Sequence, residues 1–387
     1  MAAKVRASAG DVWSKLPDEL LSEVYGRIAS PLHRVRFAAV CRSWRVVKSW
    51  QQPVPTFPWL ILSSRDDDDD TAKRVFCPAD GELLRVSLPP EAIGKRLVGS
   101  HDGGWIAVTS NLAGGESLLI VNLFSGVEVP LPAKQTNTPW IKKVIFSEAP
   151  TSNRCVLAAI LADGLAVCRV GSQSHNNQWI SKCCYSYDDI AFGHGKLYGL
   201  LRDYLFMHDI HMTNEGNPVV STLRILRTNT LPKFEGTGFN ISYILKHGDK
   251  LLMAKRAWWS QENKGFFFKV FELVKTSNTR PAYGWTEVTT LDDHALFLSA
   301  NCSRMVYQPA GRRGGVESNH IYYNNVNLIG GDKSIYNDVD LTRCDNGQHL
   351  YCGKDCKLNG VAMIMSVRYY VTSSHYNNLM WLLPPDL

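Results

Sequence analysis

The strongest constraint on the fold is a long series of short apolar segments, separated by glycine-containing turns, that begins near residue 59. Turn signals between the segments include Asp102-Gly103-Gly104, Asp163-Gly164 and Gly193-His194-Gly195. An Asx-Gly pair between alternating apolar segments is a strong signal for a β-hairpin. The sequence therefore predicts short antiparallel strands at 59–62, 83–88, 105–109, 117–122, 156–161, 165–170, 196–201, 243–245, 250–254, 266–273, 320–323 and 362–371.

A weak internal repeat accompanies these segments. A turn followed by an apolar or aromatic strand recurs after Gly104, Gly164, Gly195 and Asp249. Repeated hairpins of this kind, with little helical signal, are typical of a β-propeller, whose blades take roughly 40–50 residues each. A propeller also limits the strand edges that a long open sheet would expose. We therefore expect a mainly β chain in which residues 59–387 form a six- to seven-bladed propeller.

Residues 11–50 have a different, helical pattern. Pro17 suits a first helical position, and the acidic Asp18 and Glu19 suit the first turn. Apolar residues then recur at helical spacing, which predicts one apolar stripe formed by Leu20, Leu21, Val24 and Ile28. Ser30-Pro31 begins a second helix, and a third is expected over 43–50. The proline-rich segment 51–58 then reads as a linker. Three short helices cannot bury this much apolar surface alone, so we expect them to present a face to another protein.

Composition narrows the classes of function. The net charge of +6 over 387 residues is too small to indicate a dedicated nucleic-acid binder. No apolar run approaches the ~18 residues that a membrane span needs, and no secretory signal is recognised. The ten cysteines are therefore expected to be reduced, which favours a cytoplasmic or nuclear location.

The helical segment resembles an F-box. The resemblance rests on Leu16-Pro17, Glu19-Leu20-Leu21 and Val40-Cys41 with Trp44-Arg45, in that order and within about forty residues. The rest resembles the plant F-box family with a C-terminal kelch-like propeller of KIB type. The matching stretches are 195–198, 268–273, 285–288, 291–298, 319–323 and 381–384. The chain departs from that pattern at Asn324-Asn325 and over 172–177, which leaves the blade boundaries open.

The resemblance implies an adaptor without catalytic residues or cofactor. An F-box binds Skp1, which links it to a cullin–RING ubiquitin ligase, and the propeller holds a protein target. The residues predicted to bind Skp1 are Leu16, Pro17, Leu20, Leu21, Val24, Ile28, Val40, Cys41 and Trp44. Two alternatives stay open: an F-box protein that binds Skp1 but acts outside the ligase, and a propeller enzyme with an unrecognised pocket.

Other constellations carry weaker hypotheses. Trp258 and Trp259 are adjacent, so one is expected to point outward and contact the target, with blade packing as the alternative. Four possible zinc ligands occur at Cys344, His349, Cys352 and Cys356, but their spacing matches no common zinc module, and we expect no metal. The aspartates 66–70 are interpreted as a solvated loop. His294 with Asp292-Asp293, and His194 between its two glycines, are interpreted as turns.

Overall fold

The chain is mainly β, with few helices, in a computed structural model. The structure describes residues 16–28, 33–34, 37, 40–50, 57–62, 71–79, 81–112, 115–131, 140–170, 179–181, 185–202, 204–214, 218–227, 241–258, 266–277, 282–308, 315–324, 339–343, 349–354, 364–371 and 379–384. The helices whose bounds lie within these residues are α1 (Asp18–Arg27), α2 (Arg42–Trp50) and a short 3-10 helix (Pro90–Ala92). No helix among these residues is long and apolar enough to cross a membrane.

The N-terminal helices have a small core of their own. Its buried members are Leu21, Tyr25, Phe37 and Val47, against which Leu16, Ile28 and Trp44 pack. The ring of Phe37 lies between those of Tyr25 and Trp44, with centroids 5.2 and 4.4 Å away. Phe37 and Val40 are helical, as expected for a second helix, although most of that helix lies outside the described residues. The linker region is described only at Phe57 and Pro58, which are both buried.

The described strands form six sheets. In order along each sheet, the first contains β26 (Met380–Leu382), β1 (Trp59–Leu62), β2 (Ala72–Cys77) and β3 (Glu82–Ser87). The second contains β4 (Arg96–His101), β5 (Trp105–Leu112), β6 (Gly115–Asn122) and β7 (Glu128–Val129). The third contains β11 (Ile180–Ser181), β10 (Leu165–Arg169), β9 (Val156–Leu161) and β8 (Ile141–Phe146).

The other three sheets follow in chain order. The fourth contains β12 (Asp189–Gly193), β13 (Lys196–Leu201), β14 (Tyr204–Met212) and β15 (Pro218–Arg227). The fifth contains β16 (Ser242–His247), β17 (Lys250–Trp258), β18 (Phe266–Ser277) and β19 (Ala282–Val288). The sixth contains β21 (Arg304–Tyr307), β20 (His294–Leu298), β22 (His320–Asn324), β25 (Met365–Val371), β24 (His349–Lys354) and β23 (Val339–Arg343).

Residues far apart in the chain complete the first sheet. The last strand, β26, pairs antiparallel with β1, so that Leu60 faces Trp381. The Trp381 indole donates a hydrogen bond to the carbonyl of Leu298 in the sixth sheet, and Ser100 of the second sheet donates to the carbonyl of Trp381. One apolar cluster accordingly contains residues of the first, second and sixth sheets. The apolar strands therefore bury their side chains between neighbouring sheets as well as within them.

Neighbouring sheets approach one another closely at their first strands. Strand β4 contacts β8, β8 contacts β12, and β12 contacts β16. At Gly99 of β4, an added Cβ would lie only 2.2 Å from the carbonyl oxygen of Val144 in β8. The absence of a side chain at Gly99 therefore permits the backbones of the second and third sheets to meet.

The sixth sheet contains two parallel pairings of strands, although the sequence predicted antiparallel hairpins along the whole strand-rich part. Strands β20 and β22 are parallel, and β22 is also parallel to β25. Parallel neighbours need a crossover connection in place of a tight turn. The chain makes the first of these crossovers through β21 and residues 315–319. The prediction was therefore wrong for these two pairings, because local turn signals carry no information about which distant strands pair. The pairings β20–β21, β23–β24 and β24–β25 are antiparallel, as predicted.

Candidate functional site

The first candidate site is the outer surface of the N-terminal helices. The sequence predicted a single apolar stripe on α1, and the structure buries only part of it. Leu21 is fully buried, whereas Leu20 and Val24 are 50% and 46% exposed. Successive residues of a helix are separated by about 100°, so the four residues of the stripe lie within one arc of about 100°, with Leu20 and Leu21 at its two edges. The stripe is therefore present, but the helices' core covers its Leu21 edge and leaves Leu20 and Val24 exposed.

The other residues predicted to bind Skp1 also differ in their exposure to solvent. Pro17 and Val40 are exposed, and Val40 retains 53% of its accessible surface. Leu16, Ile28 and Trp44 are only partly buried and pack on the helices' core. No contact with a partner is described, so the binding role of all nine residues stays a prediction. We call Pro17, Leu20, Val24 and Val40 the exposed helical face.

Two polar side chains fix the ends of these helices. The guanidinium of buried Arg34 donates to the carbonyl of Ile28, just beyond the end of α1, at 2.9 and 2.6 Å. Cys41 precedes α2, with its sulfur 3.1 Å from the hydroxyl oxygen of Ser43. The hydrogen bond with Ser43, followed by that from the backbone of Trp44, lowers the pKa of Cys41. Arg34 thereby satisfies a carbonyl at the end of α1, and Cys41 makes a local contact at the start of α2.

The second candidate site is a central cavity of about 580 Å³. Side chains from the second to the sixth sheets line it, which places it where the first strands of these sheets converge. A cavity of this size is within the range of small-molecule sites. Its polar and charged lining residues are Ser100, His101, Asp102, Lys143, Ser147, His194, Lys196, Lys246, His247, Asn301, Ser303 and Arg304. We call it the central cavity.

A buried ion pair connects three sheets at the wall of the central cavity. Lys143 of β8 donates to Oδ1 of Asp189 in β12 at 2.5 Å, and both side chains are at least 95% buried. The Asp189 carboxylate also accepts from the backbone N–H of Ile190 at 2.8 Å and from that of Ile244 in β16 at 2.9 Å. Burial raises the pKa of Asp189, while the Lys143 ammonium and these N–H groups oppose the rise. One carboxylate thus joins the third, fourth and fifth sheets.

Two other ion pairs are more accessible from the central cavity. Nε of Arg304 donates to Oδ1 of Asp102 at 2.9 Å, joining the sixth sheet to the turn after β4. Lys196 donates to Asp209 at 2.6 Å within the fourth sheet. About a third of the surface of each cationic side chain stays exposed. Arg304 and Lys196 can therefore contact a ligand without leaving their carboxylate partners.

Three histidines complete the polar lining. The ring of His194 donates from Nε2 to the carbonyl of Asp249 at 2.6 Å. Burial is the main cause of the lowered pKa of His101 and of His247. Neutral imidazoles at these two positions can each donate or accept a hydrogen bond near pH 7. Within the described residues, no group of three or more His, Cys, Asp or Glu side chains is arranged to hold a metal ion.

The turn prediction is confirmed for His194 and for Asp292-Asp293, whereas His294 is the first residue of β20. His194 and Gly195 both have positive φ, 51° and 69°, between β12 and β13, which is the geometry of a two-residue hairpin turn. Asp292 also has a positive φ, 50°, and its backbone N–H is bonded to the Thr290 hydroxyl just before β20. Yet His194 also lines the central cavity, a role that its glycine neighbours did not reveal.

The remaining candidates lie partly or wholly outside the described residues. Trp258 ends β17, where it pairs with Phe266, whereas Trp259 is not described. Of the four possible zinc ligands, His349 and Cys352 lie in β24, and the other two are outside the described residues, as are aspartates 66–70. Sequence reasoning missed the lining of the central cavity, because its residues are dispersed over more than 200 positions. Their common signal, a polar residue near a strand end, recurs too often to single them out.

Comparison with known families gives a match over most of the chain. The profile described as "KIB1-4 beta-propeller" matches residues 75–343, which is more than half of the sequence. The matched residues include the lining of the central cavity and begin well after the N-terminal helices. The profile therefore concerns the strand-rich part and gives no information about the helices.

Curated relatives from Arabidopsis thaliana carry F-box names. F-box protein At3g56470 is 32% identical over 149 residues, which are 38% of this chain and 37% of that protein. Putative F-box protein At4g22180 is 27% identical over 140 residues, 36% of this chain and 33% of that protein. F-box protein At2g14290 is 26% identical over 121 residues, 31% of this chain and 32% of that protein. The matches therefore span about a third of each relative's length.

A solved structure with a broad alignment is apo AztD from Citrobacter koseri. The alignment covers 83% of this chain and 99% of that one, at 10% identity and a TM-score of 0.28. A second AztD structure from the same organism has a TM-score of 0.29, also at 10% identity, with 83% of this chain and 100% of that one covered. Superposition scores this low carry no argument about the fold or the ligand of this protein.

Proposed function

This chain belongs to the KIB1-4 β-propeller family, and from that membership we propose that it is a substrate-recognition adaptor of a Skp1–cullin–F-box ubiquitin ligase. The N-terminal helices, residues 11–50, would bind Skp1. The strand-rich part, residues 59–387, would hold the target protein as a six-bladed propeller, one blade for each described sheet. The protein would be a non-catalytic subunit of the ligase and act by bringing the target close to the ubiquitin-loaded enzyme.

The observation that carries the proposal is the exposed helical face. Leu20 and Val24 leave about half of their surface in water although Leu21, Tyr25 and Phe37 already form a core beneath them. Exposed aliphatic residues in a cluster, beside a core that is complete without them, suit a partner helix that packs on them. The F-box names of the relatives support this choice of partner.

Affinity capture of the full chain with a plant Skp1 tests the proposal. We expect the wild-type protein to retain Skp1 and the Leu20→Asp/Val24→Asp variant to lose it. Each substitution would bury a carboxylate without a partner in the complex, and truncation of an interface anchor alone often costs about 2 kcal/mol or more. If wild-type protein captures no Skp1, the proposal is refuted.

A matched variant separates interface effects from general effects of surface charge. Val127 is 51% exposed, close to the 46% of Val24, and it lies in the strand-rich part. Val127→Asp should therefore capture Skp1 as well as wild type does. Leu21→Ala provides a second comparison, because it removes a fully buried side chain from the helices' core and should loosen the helices first. Equal Skp1 capture by Leu20→Asp/Val24→Asp and Val127→Asp would refute the assignment of the exposed helical face.

Capture of a cullin distinguishes an adaptor of an active ligase from an F-box protein that acts outside the ligase. An adaptor of an active ligase retains both Skp1 and a cullin, and ubiquitinates its target in a reconstituted reaction. An F-box protein that acts outside the ligase retains Skp1 without cullin. The location we propose is cytoplasmic or nuclear, where the ligase would meet its target, and imaging of a fluorescent fusion checks it.

A further inference from the structure

The lining of the central cavity has an excess of hydrogen-bond donors. Among the described lining residues, the cations are Lys143, Lys196, Lys246 and Arg304, and the one carboxylate is Asp102. Lys143 and Lys196 are paired with Asp189 and Asp209, which lie outside the lining. Asp102 already accepts the hydrogen bond from Arg304. A ligand entering the central cavity therefore meets several N–H groups and few available negative charges.

Several of these donors keep unused capacity. Arg304 uses Nε for Asp102 and Nη1 for the carbonyl of Ser303 at 3.3 Å, so that Nη2 has no hydrogen-bond partner among the described residues. Lys196 uses one of its three N–H bonds, for Asp209. Lys246 is exposed, and its side chain makes neither a hydrogen bond nor an ion pair with any described residue. Three cations from three sheets thus offer free donors to one space.

Apolar side chains accompany the charged groups in this space. They include Ile145, Phe192 and Ile244. Charge-assisted hydrogen bonds are stronger than neutral ones, and more so where water is partly excluded. The two ion pairs that hold Arg304 and Lys196 also fix their positions, so a ligand would not have to order these long side chains.

From this geometry we propose that the central cavity binds a small anion carrying carboxylate or phosphate groups, held by Arg304, Lys196 and Lys246. The guanidinium can take one oxygen pair through its free edge, and the two ammonium groups can take further oxygens. The imidazole of His247 can add one further hydrogen bond. The anionic group can belong to a free small molecule or to an acidic side chain of a bound peptide. The proposal is independent of Skp1 binding, which uses the N-terminal helices.

Calorimetric titration of the purified full chain with three probes tests the proposal at constant ionic strength. The probes are inorganic phosphate, citrate, and a capped peptide of four glutamates; a capped peptide of four glutamines is the neutral comparison. We expect at least one anionic probe to bind and the glutamine peptide not to bind. Tighter binding of citrate or phosphate indicates a free small anion, and tighter binding of the glutamate peptide indicates an acidic segment.

Variants locate the binding within the molecule. Arg304→Gln and Lys246→Gln should each weaken the anionic probe about tenfold or more, the effect of losing one charge-assisted hydrogen bond. Lys246 has no described partner, so its substitution should leave the melting temperature unchanged and provides a test free of folding effects. Lys269→Gln is the matched control, because Lys269 forms an ion pair with Glu287 and lies outside the lining.

Two results would overturn the proposal. One is that none of the three anionic probes binds. The other is that Lys269→Gln and Lys246→Gln weaken the affinity for the anionic probe equally. Skp1 capture by the same variants keeps the two proposals apart. An Arg304→Gln protein that still captures Skp1 but loses the anion supports the cavity site. A protein that binds the anion but not Skp1 would refute only the proposed ligase function.

Discussion

The Lys143–Asp189 pair permits a quantitative test of how the sheets are held together. Asp189 receives three donors on two oxygens: Lys143 and the N–H of Ile190 at Oδ1, and the N–H of Ile244 at Oδ2. An asparagine has only one oxygen, so in either amide orientation its NH₂ group faces at least one of these donors. Asp189→Asn also leaves the 95% buried Lys143 ammonium without a counter-charge. Removal of one partner from a buried pair costs about 3–5 kcal/mol, which is the effect we expect on the free energy of unfolding.

The reciprocal substitution removes Lys143, the other partner of the ion pair. Lys143→Met should cost a similar amount at pH 7, because Asp189 then remains buried with only two N–H partners. Burial already raises the pKa of Asp189, and loss of the ammonium raises it further. The native variant then binds more protons than the unfolded chain, whose aspartate has a pKa of about 3.9. The cost of Lys143→Met should therefore decrease as the pH is lowered from 7 toward 5.

Urea unfolding, followed by tryptophan fluorescence and circular dichroism, measures both effects. The double variant Lys143→Met/Asp189→Asn should cost less than the sum of the single variants by about 2 kcal/mol or more, because it leaves no buried charge. Glu272→Gln is a control on a more exposed pair with Lys250, and should cost less than about 1 kcal/mol. Strict additivity, or an Asp189→Asn cost as small as that of the control, would refute the structural role of this pair.

Three further predictions concern other parts of the molecule. Gly99→Ala should destabilise the protein by about 1–3 kcal/mol in urea unfolding, because its Cβ would collide with the backbone of the neighbouring sheet. Gly193→Ala should be close to neutral, because the nearest atom to its added Cβ is 3.4 Å away. Equal costs for the two variants would contradict the proposed close approach. His208 is fully buried, and burial lowers its pKa to about 4. The free energy of unfolding should therefore fall by up to about 3 kcal/mol as the pH drops from 6.5 to 4. In urea titrations, His208→Asn should make the free energy of unfolding less dependent on pH over this range. Arg34→Met should reduce amide-exchange protection of α1, because the carbonyl of Ile28 loses its two charged hydrogen bonds; unchanged protection would show that Arg34 has no capping role.

Local sequence patterns predicted several strands with correct bounds and missed others. Predicted and observed bounds agree for Trp59–Leu62, Val156–Leu161 and Lys196–Leu201, where apolar residues are flanked by clear turn signals. The pattern missed Arg96–His101 and Asp189–Gly193, the first strands of their sheets. Both strands have a polar end and an apolar centre, and the Ser100-His101 end of the first lines the central cavity. In these two strands, next to the candidate site, the sequence does not show the regular alternation of apolar and polar residues that identifies a strand.

The partial burial of the apolar stripe on α1 shows a similar limit. Sequence spacing grouped Leu20 with Leu21, since both are apolar and both fall within an apolar pattern. Only the packing of Tyr25, Phe37 and Val47 determines which leucine is enclosed and which faces water. Phe37 is central to that core, although it did not stand out in the sequence.

The sequence by itself determined the β-rich character after residue 58, the helical character before residue 51 and the resemblance to a KIB-type F-box protein. Those properties depend on short-range periodicity, turn residues and ordered motifs, which a linear pattern records. The tertiary structure alone decided the pairing of β26 with β1, the parallel strands of the sixth sheet, and the meeting of Lys143 with Asp189. These depend on contacts between residues distant in the chain, whose partners are selected by packing and charge in three dimensions.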